Sequence, residues 1–258
     1  MNLLDVRKVS IQFGGLRALD KVTFSMEKGQ VYSLIGPNGA GKTTILNCIS
    51  RIYRPQGGSI EFEGRNIMDL SPHMIAQIAI ARTFQNIELF SNMTVMDNLL
   101  LARHRVKRSN FLTEMIFSPS VRRQEIAFRK VVEEVIDFLE LHPYRDTKVI
   151  NLPFGTRKLV ELARALAMDP TLLLLDEPSS GMNPEEKEDL SHTIRDIQRQ
   201  LKISILMVEH DMNLVMQISD RVCVLNYGSV IADGYPEEIQ ENQEVIEAYL
   251  GEDNGILA

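Results

Sequence analysis

The chain has 258 residues, 44% hydrophobic and 24% charged, which is typical of a globular protein and excludes disordered and fibrous classes. Its formal net charge of -7 at pH 7 argues against nucleic acid as a partner, because following a phosphate backbone requires clustered Lys and Arg. Two cysteines without CxxC spacing, and no recognisable secretory leader, indicate a reducing compartment. Because no apolar run reaches the roughly 18 residues of a spanning helix, we expect a soluble protein that can still dock on a membrane protein.

The first 30 residues alternate apolar and polar side chains and are interrupted by Gly14, Gly15 and Gly29, which predicts antiparallel strands joined by turns. The next segment, "VYSLIG", is almost continuously apolar, as is typical of a strand buried on both faces. Two later segments have the same character, "TLLLLDE" at 171–177 and "ISILMVEH" at 203–210. The sequence therefore predicts an α/β fold, with a mostly parallel sheet flanked by helices and an N-terminal antiparallel β subdomain.

A different pattern separates these strands. Residues 121–141 carry apolar side chains at helical spacing, which predicts a long amphipathic helix. We predict a single domain over 1–258, with an inserted helical subdomain at 86–165 and a nucleotide-binding core formed by 1–85 and 166–258. The C-terminal "YPEEIQENQEVIEAYL" predicts a further helix that ends at Gly251.

The strand "VYSLIG" leads into the glycine-rich segment "GPNGAGKTT" and then into a helical pattern. This spacing fits a phosphate-binding loop, whose backbone N–H groups and following helix N-terminus surround phosphate oxygens. Lys42 is expected to reach the β and γ phosphates of ATP, and Thr43 to bind Mg²⁺. The alternative is a glycine turn before a helix. The predicted binding residues are Gly36, Pro37, Asn38, Gly39, Ala40, Gly41, Lys42, Thr43 and Thr44.

Three polar side chains follow the other buried strands, and ligands bind at the carboxyl ends of strands in open parallel sheets. Asp176 is expected to hold Mg²⁺, and Glu177 to polarise a water that attacks the γ phosphate. An Asp-Glu pair in this position can instead cap a helix or lie on the surface. His210 is expected to contact the γ phosphate, and its alternative role is that of a hydrogen-bonded structural histidine.

These motifs occur in an order that resembles the ATP-binding subunit of ABC transporters over essentially the whole chain. The resemblance rests on "GPNGAGKTT", the glutamine loop "RTFQN", the signature "LPFGT", the strand "LLLLDEP", the D-loop "SSGMNP" and "VEHD". It implies a P-loop NTPase core. It also implies that Gln85 acts in catalysis and at the metal, that Phe13 stacks on adenine, and that Lys42, Glu177 and His210 are catalytic.

In this family two ATPase subunits meet head to tail with ATP between them, so the resemblance implies that the signature serves the partner's nucleotide. The residues concerned are Leu152, Pro153, Phe154, Gly155 and Thr156. Pro153 replaces the usual serine and Phe154 a glycine, while Asn183 stands where many relatives have an aspartate. Gly155 remains, and a helix predicted to begin near Thr156 keeps its positive end. We interpret the signature as a working variant.

A narrower resemblance links the chain to the longer-insert ATPase of branched-chain amino acid importers, through "RTFQNIELFSNMTVMDNLLLARH", "GMNPEE" and "VIEAYLGE". It implies two membrane permeases, a second ATPase subunit of the same or a different kind, an indirectly coupled periplasmic binding protein, and a peripheral position on the cytoplasmic face of the inner membrane. "IELF" and "MTVMDNLL" are candidates for receiving a permease helix, or else form subdomain core. Alternative functions are transport of urea, amides, other amino acids or lipids, and a soluble non-transport ATPase.

Overall fold

The structure is a computed structural model that describes residues 2–84, 87–103 and 119–253. Its strands form a four-stranded sheet in the order β2-β1-β4-β5 and a six-stranded sheet in the order β10-β9-β3-β8-β7-β6. The strands are β1 (Asn2–Phe13), β2 (Leu16–Glu27), β3 (Val31–Ile35), β4 (Gly57–Phe62), β5 (Arg65–Asn66), β6 (Ile80–Arg82), β7 (Leu172–Asp176), β8 (Ser204–Val208), β9 (Arg221–Asn226) and β10 (Ser229–Gly234).

The helices of the described residues lie on both faces of the six-stranded sheet. They are α1 (Lys42–Ile49), α2 (Pro72–Gln77), α3 (Val95–Arg103), α4 (Pro119–Phe138), α5 (Phe154–Leu166), α6 (Pro184–Gln200), α7 (Met212–Ile218), α8 (Pro236–Gln240) and α9 (Gln243–Asp253). Two short 3₁₀ helices, His142–Tyr144 and Val149–Asn151, connect α4 to α5. No helix within these described ranges is both long and apolar enough to cross a membrane.

The six-stranded sheet is parallel except at one edge, where β10 pairs antiparallel with β9. Every residue of β3, β7 and β8 is buried, as expected for strands covered by helices on both faces. Alternation along the strands creates two hydrophobic cores. Leu173 and Leu175 contribute to the core beneath α3 to α7, whereas Leu172 and Leu174 contribute to the core shared with α1 and the antiparallel sheet. The predicted α/β class is confirmed.

Helices α3, α4 and α5, within residues 95–166, share one hydrophobic core. Val132 and Ile136 of α4 are completely buried, with Val95 and Leu99 of α3, in the same core as α5. Within "MTVMDNLL", Val95, Met96 and Leu99 therefore form core, which is the alternative raised from the sequence. The subdomain boundaries at 86–165 remain a prediction.

Three predicted helix boundaries are wrong. Helix α4 ends at Phe138, three residues before Leu141, because Glu140 adopts a left-handed conformation with φ 55°. The C-terminal segment forms two helices, and the second continues through Gly251 to Asp253. Helix α5 begins at Phe154 and not near Thr156, because Pro153 is extended (φ -56°, ψ 157°) and supplies a natural N-cap backbone.

Candidate functional site

The candidate site lies at the carboxyl edge of the parallel sheet, where β3, β7 and β8 are adjacent. In the strand register Leu34 of β3 and Asp176 of β7 both align with Val208 of β8. The segments that follow these strands are 36–41, 177–183 and 209–211, and they carry the side chains predicted from the sequence. The parallel register is therefore what brings three distant motifs to one edge.

The phosphate loop joins β3 to α1. Gly41 is the N-cap of α1 with φ 103°, and no side chain caps this helix. A Cβ on Gly41 would lie 2.7 Å from the carbonyl oxygen of Ala18, so only glycine allows this close approach and backbone conformation. The first N–H groups of α1 and its positive end therefore face the space above the loop, as anion binding requires.

Lys42 is oriented by its own loop. Its Nζ donates hydrogen bonds to the carbonyl oxygens of Gly36, at 2.5 Å, and Pro37, at 2.9 Å, and the residue is only 7% exposed. Thr43, the next residue, is exposed. An ammonium held against loop carbonyls is available to a phosphate, since the anion offers stronger, charge-assisted hydrogen bonds.

A groove of about 430 Å³ runs over this loop and brings nine of the predicted residues together. Phe13 is 44% exposed at one end, with its ring packed edge-on against Tyr53 at 5.0 Å between centroids. The predicted residues lining the groove are Phe13, Asn38, Gly39, Ala40, Gly41, Lys42, Thr43, Thr44 and Glu177.

The same groove is lined by Tyr227, which sequence reasoning missed. Tyr227 is 89% exposed and has a left-handed backbone with φ 45°, in the turn between β9 and β10. The turn is anchored to the phosphate loop, because the Gly228 N–H donates to the Ala40 carbonyl at 3.0 Å. No sequence signal near Tyr227 distinguishes it from an ordinary turn residue, since its proximity to the loop comes only from the sheet order.

Asp176 ends β7 and is 2% exposed. Its Oδ2 accepts a hydrogen bond from Arg82 Nη2 at 2.8 Å, while its Oδ1 is buried without a hydrogen-bond partner among the described residues. Arg82 also donates to Asn47 Oδ1 at 2.7 Å and Ser50 Oγ at 2.8 Å, so it ties Asp176 to α1. Arg82 was not selected from the sequence, where nothing marks it as buried.

The unpartnered Asp176 oxygen fits the requirement of a hard divalent cation or of a water bound to one. Thr43 supplies a second oxygen from the phosphate loop, and the remaining ligands of a nucleotide-bound Mg²⁺ are phosphate oxygens and water. Within the described ranges, no group of three or more His, Cys, Asp or Glu residues could hold a metal by itself. Gln85, the third predicted metal ligand, lies outside the described residues.

Glu177 and His210 lie in the loops that follow the adjacent strands β7 and β8, and their side chains are close together. Glu177 has φ 49°, which turns its side chain away from the buried strand direction, and its side chain is 19% exposed. His210 Nδ1 lies 3.9 Å from Glu177 Oε2, and the imidazole is 57% exposed. The two groups are close enough to act on one ligand, although the separation is too long for a direct hydrogen bond.

The signature residues form a second surface, and none of the five lines the groove. Leu152 is buried in the core, whereas Pro153 and Phe154 are exposed at the start of α5. The Phe154 ring packs against the D-loop, because a Cβ on Gly181 would lie 2.9 Å from its Cε1 atom. The unusual Phe154 is therefore accommodated by a glycine in this chain's own D-loop.

The D-loop and signature are connected a second time through Glu186. Its carboxylate lies directly against Gly155, in the space that a side chain there would fill. Asn183 and Glu186 form a capping box at the start of α6, with the Asn183 Oδ1 accepting from the Glu186 N–H at 2.9 Å. Asn183 thus serves as an efficient helix cap in the position where an aspartate was expected.

The chain is similar to known proteins over nearly its whole length. A family model described as ABC transporter matches residues 19–180, and a model described as branched-chain amino acid ATP-binding cassette transporter matches residues 229–254. The chain is 42% identical over 250 residues to the high-affinity branched-chain amino acid transport ATP-binding protein BraF of Pseudomonas aeruginosa, covering 97% of this chain and 98% of BraF. It is 39% identical to LivG of Escherichia coli, a protein of the same description, with the same coverage.

A solved structure has the same fold over nearly the whole chain. It is the ADP conformation of an ATP-binding cassette of an ABC transporter, with a TM-score of 0.85 and 29% identity over 97% of this chain and 99% of that one.

Proposed function

We propose a specific role for this chain, which belongs to the ABC transporter family and is an ATP-binding subunit that hydrolyses ATP: it energises the import of branched-chain amino acids. The observation that carries the proposal is the groove in which Lys42, Thr43 and Glu177 face one space at the edge of the sheet. The cargo rests on the names of the full-length relatives and on the family match at 229–254.

We assign the following roles to the residues of the groove. Lys42 leaves the carbonyls of its loop for the β and γ phosphates, while the N–H groups at the start of α1 hold the phosphate oxygens. Glu177 polarises the water that attacks the γ phosphorus, and His210 donates to a γ-phosphate oxygen. Phe13 stacks on adenine, and Gln85 acts in catalysis.

Mg²⁺ is part of this proposal. Thr43 and Asp176 would hold it, with Gln85 as a further ligand, and it would neutralise charge on the β and γ phosphates. Arg82 holds one oxygen of Asp176 in a buried ion pair, and the other oxygen would be available to the metal or to a water bound to it.

We propose that two ATPase subunits, identical or different, enclose ATP between them. Residues 152–156 of one subunit would complete the nucleotide site of the other, through the first N–H groups of α5 and not through a serine hydroxyl. This is supported by the exposure of Pro153 and Phe154 and by the absence of all five signature residues from the lining of this chain's own groove.

The membrane partners are proposed to be two permeases, served by a periplasmic binding protein, with this subunit on the cytoplasmic face of the inner membrane. A second groove of about 550 Å³ supports a docking position for a permease helix. It is lined by apolar side chains, including Phe84, Leu101 and the 57% exposed Phe90, and by the cation Arg164, whereas the Arg82 side chain that also borders it is paired with Asp176. An apolar helix carrying an acidic residue would match this lining.

The test uses the membrane complex purified through this chain. We expect permeases and an ATPase partner to co-purify, Mg²⁺-dependent phosphate release to be lost in Lys42→Ala, and reconstituted vesicles to accumulate leucine but not urea. Phosphate release that survives in Lys42→Ala would refute the ATPase site. Uptake of urea in place of leucine would refute the cargo and leave the ATPase site intact.

A further inference from the structure

Glu209 is a completely buried carboxylate at the end of β8, with 0% exposure. Its Oε1 accepts a hydrogen bond from the Ser179 N–H at 2.8 Å. Its Oε2 accepts from the N–H groups of His210, at 3.0 Å, and Asp211, at 3.4 Å. One side chain therefore bridges the backbones of two loops, with one oxygen committed to each.

Burying a carboxylate is costly unless hydrogen bonds replace the lost water. Here three backbone N–H groups do so, and hydrogen bonds to an ionised acceptor are stronger than neutral ones. Within the described part of the chain, the one basic side chain that lies within 4.0 Å of this carboxylate is His210, whose Nδ1 is 3.9 Å from Oε2 and which is charged only when protonated. Glu209 is therefore held mainly by the two loops, and it holds them in return.

The two loops that Glu209 joins are the ones that carry the reacting groups of the proposed site. Ser179 lies two residues after Glu177, and His210 directly follows Glu209. The Glu177 N–H also donates to the carbonyl of Val208, at 2.9 Å, but this bond restrains only the start of the loop. The bridge thus helps to fix the 3.9 Å separation between Glu177 and the His210 imidazole.

We propose that Glu209 is a positioning residue for ATP hydrolysis: its carboxylate bridges the loops after β7 and β8 so that Glu177 and His210 meet one γ phosphate. This inference rests on the proposed function of those two residues. Because positioning affects the reacting geometry more than ground-state binding, losing the bridge should lower kcat and leave nucleotide affinity nearly unchanged.

Glu209→Gln is the sharpest variant. Glutamine keeps the size of the side chain but has a single accepting oxygen, so it can accept a hydrogen bond from the N–H of Ser179 or of His210 but not from both. Its amide NH2 group would then face the other backbone N–H, and two donors cannot form a hydrogen bond with each other. We expect kcat for ATP to fall by about tenfold or more, since a misplacement of about 1 Å can cost about 100-fold, while the KM for ATP changes by less than about threefold.

Asp220→Asn is the matched control. Asp220 Oδ2 also accepts a backbone N–H of the central sheet, from Val31 at 2.7 Å, but at the opposite end of β3. Asp220 also pairs with Arg195 at 2.9 Å, so this variant should lose thermal stability while kcat stays normal. Equal losses of kcat in Glu209→Gln and Asp220→Asn would mean that Glu209 is merely structural, and would overturn the proposal.

A double-mutant cycle with His210→Ala separates positioning from general destabilisation. When the imidazole is absent, the Glu209 bridge no longer positions it beside Glu177, so Glu209→Gln should reduce kcat by less than about twofold in the His210→Ala background. Effects that simply multiply would overturn the proposal, as would normal turnover in Glu209→Gln. All assays use the membrane complex, and wild-type turnover is measured first: its absence would refute the proposed function, not the bridge.

Discussion

Replacing Arg82 by methionine perturbs the buried ion pair beneath the proposed metal position. The side chains of Arg82 and Asp176 are 7% and 3% exposed, and their nitrogen and oxygen lie 2.8 Å apart. Methionine fills a similar volume and removes the charge. The change leaves Asp176 as an uncompensated buried carboxylate, and it also deprives Asn47 and Ser50 of their donor.

The expected cost follows from this burial. Breaking a buried ion pair by removing one partner costs about 3 to 5 kcal/mol, because the remaining charge stays out of water. For a chain of 258 residues, about 1 kcal/mol corresponds to about 2 to 4 °C in Tm. We therefore expect Arg82→Met to lower Tm by about 6 to 20 °C.

The measurements are thermal unfolding, for Tm, and urea unfolding, for the free energy of unfolding. Both are made on the full chain by far-ultraviolet circular dichroism, since the chain contains no tryptophan for a fluorescence signal. Arg221→Met is the control, because the Arg221–Asp233 pair is 33% and 26% exposed and should contribute less than about 1 kcal/mol. In the double variant with Asp176→Asn, the buried charge is gone, so the two losses should be less than additive by about 2 kcal/mol. A loss below about 1 kcal/mol in Arg82→Met, or strictly additive losses, would refute the reasoning.

Three further outcomes are expected. Tyr227→Ala should weaken ATP binding by about three- to tenfold in an equilibrium titration, because an exposed aromatic at the groove is lost, and unchanged affinity would exclude its contact with nucleotide. Gly181→Ala should destabilise the chain by about 1 to 2 kcal/mol because its φ is 79°, and contact between the new methyl group and the Phe154 ring should add to this loss. Adding Phe154→Ala should restore only the part of the loss that comes from the ring, and a double variant that restores no stability would exclude the contact. The Lys187 ammonium holds the pKa of Asp211 below its ordinary value, so the stability contributed by that carboxylate is present above about pH 4 and lost as pH falls through the folded pKa. Asp211→Asn, which keeps the helix cap, should lower stability at pH 7, and in urea titrations this loss should shrink as the pH falls below about 4. A pH-independent difference would contradict the ion pair.

The phosphate loop, the buried strands and the residues that end them were predictable because each depends on a local pattern. Glycines at fixed spacing, a continuous apolar run and a terminal carboxylate identify Lys42 and Asp176 without tertiary information. Helix boundaries were less predictable. The start of α5 at Phe154 depends on the backbone of Pro153, and the run of α9 through Gly251 shows that one glycine does not end a helix.

Arg82, Glu209 and Tyr227 could not be found from the sequence, because each owes its role to partners far along the chain. Arg82 meets Asp176 across 94 positions, and Glu209 meets Ser179 across 30. Their residue types are those of ordinary surface positions, and only the burial of the first two and the groove beside Tyr227 distinguish them.

The sequence by itself determined the fold class and the conformation of the glycine-rich loop before α1, because short-range patterns specify strand burial and tight turns. The strand order β9-β3-β8-β7 was decided only in the tertiary structure, and with it which loops became neighbours. The packing of Phe154 against Gly181 was decided there too, since it depends on a D-loop 27 positions away in the chain. Local patterns fix the conformation of a segment, whereas the contacts between segments depend on how the hydrophobic faces of the whole chain are buried together.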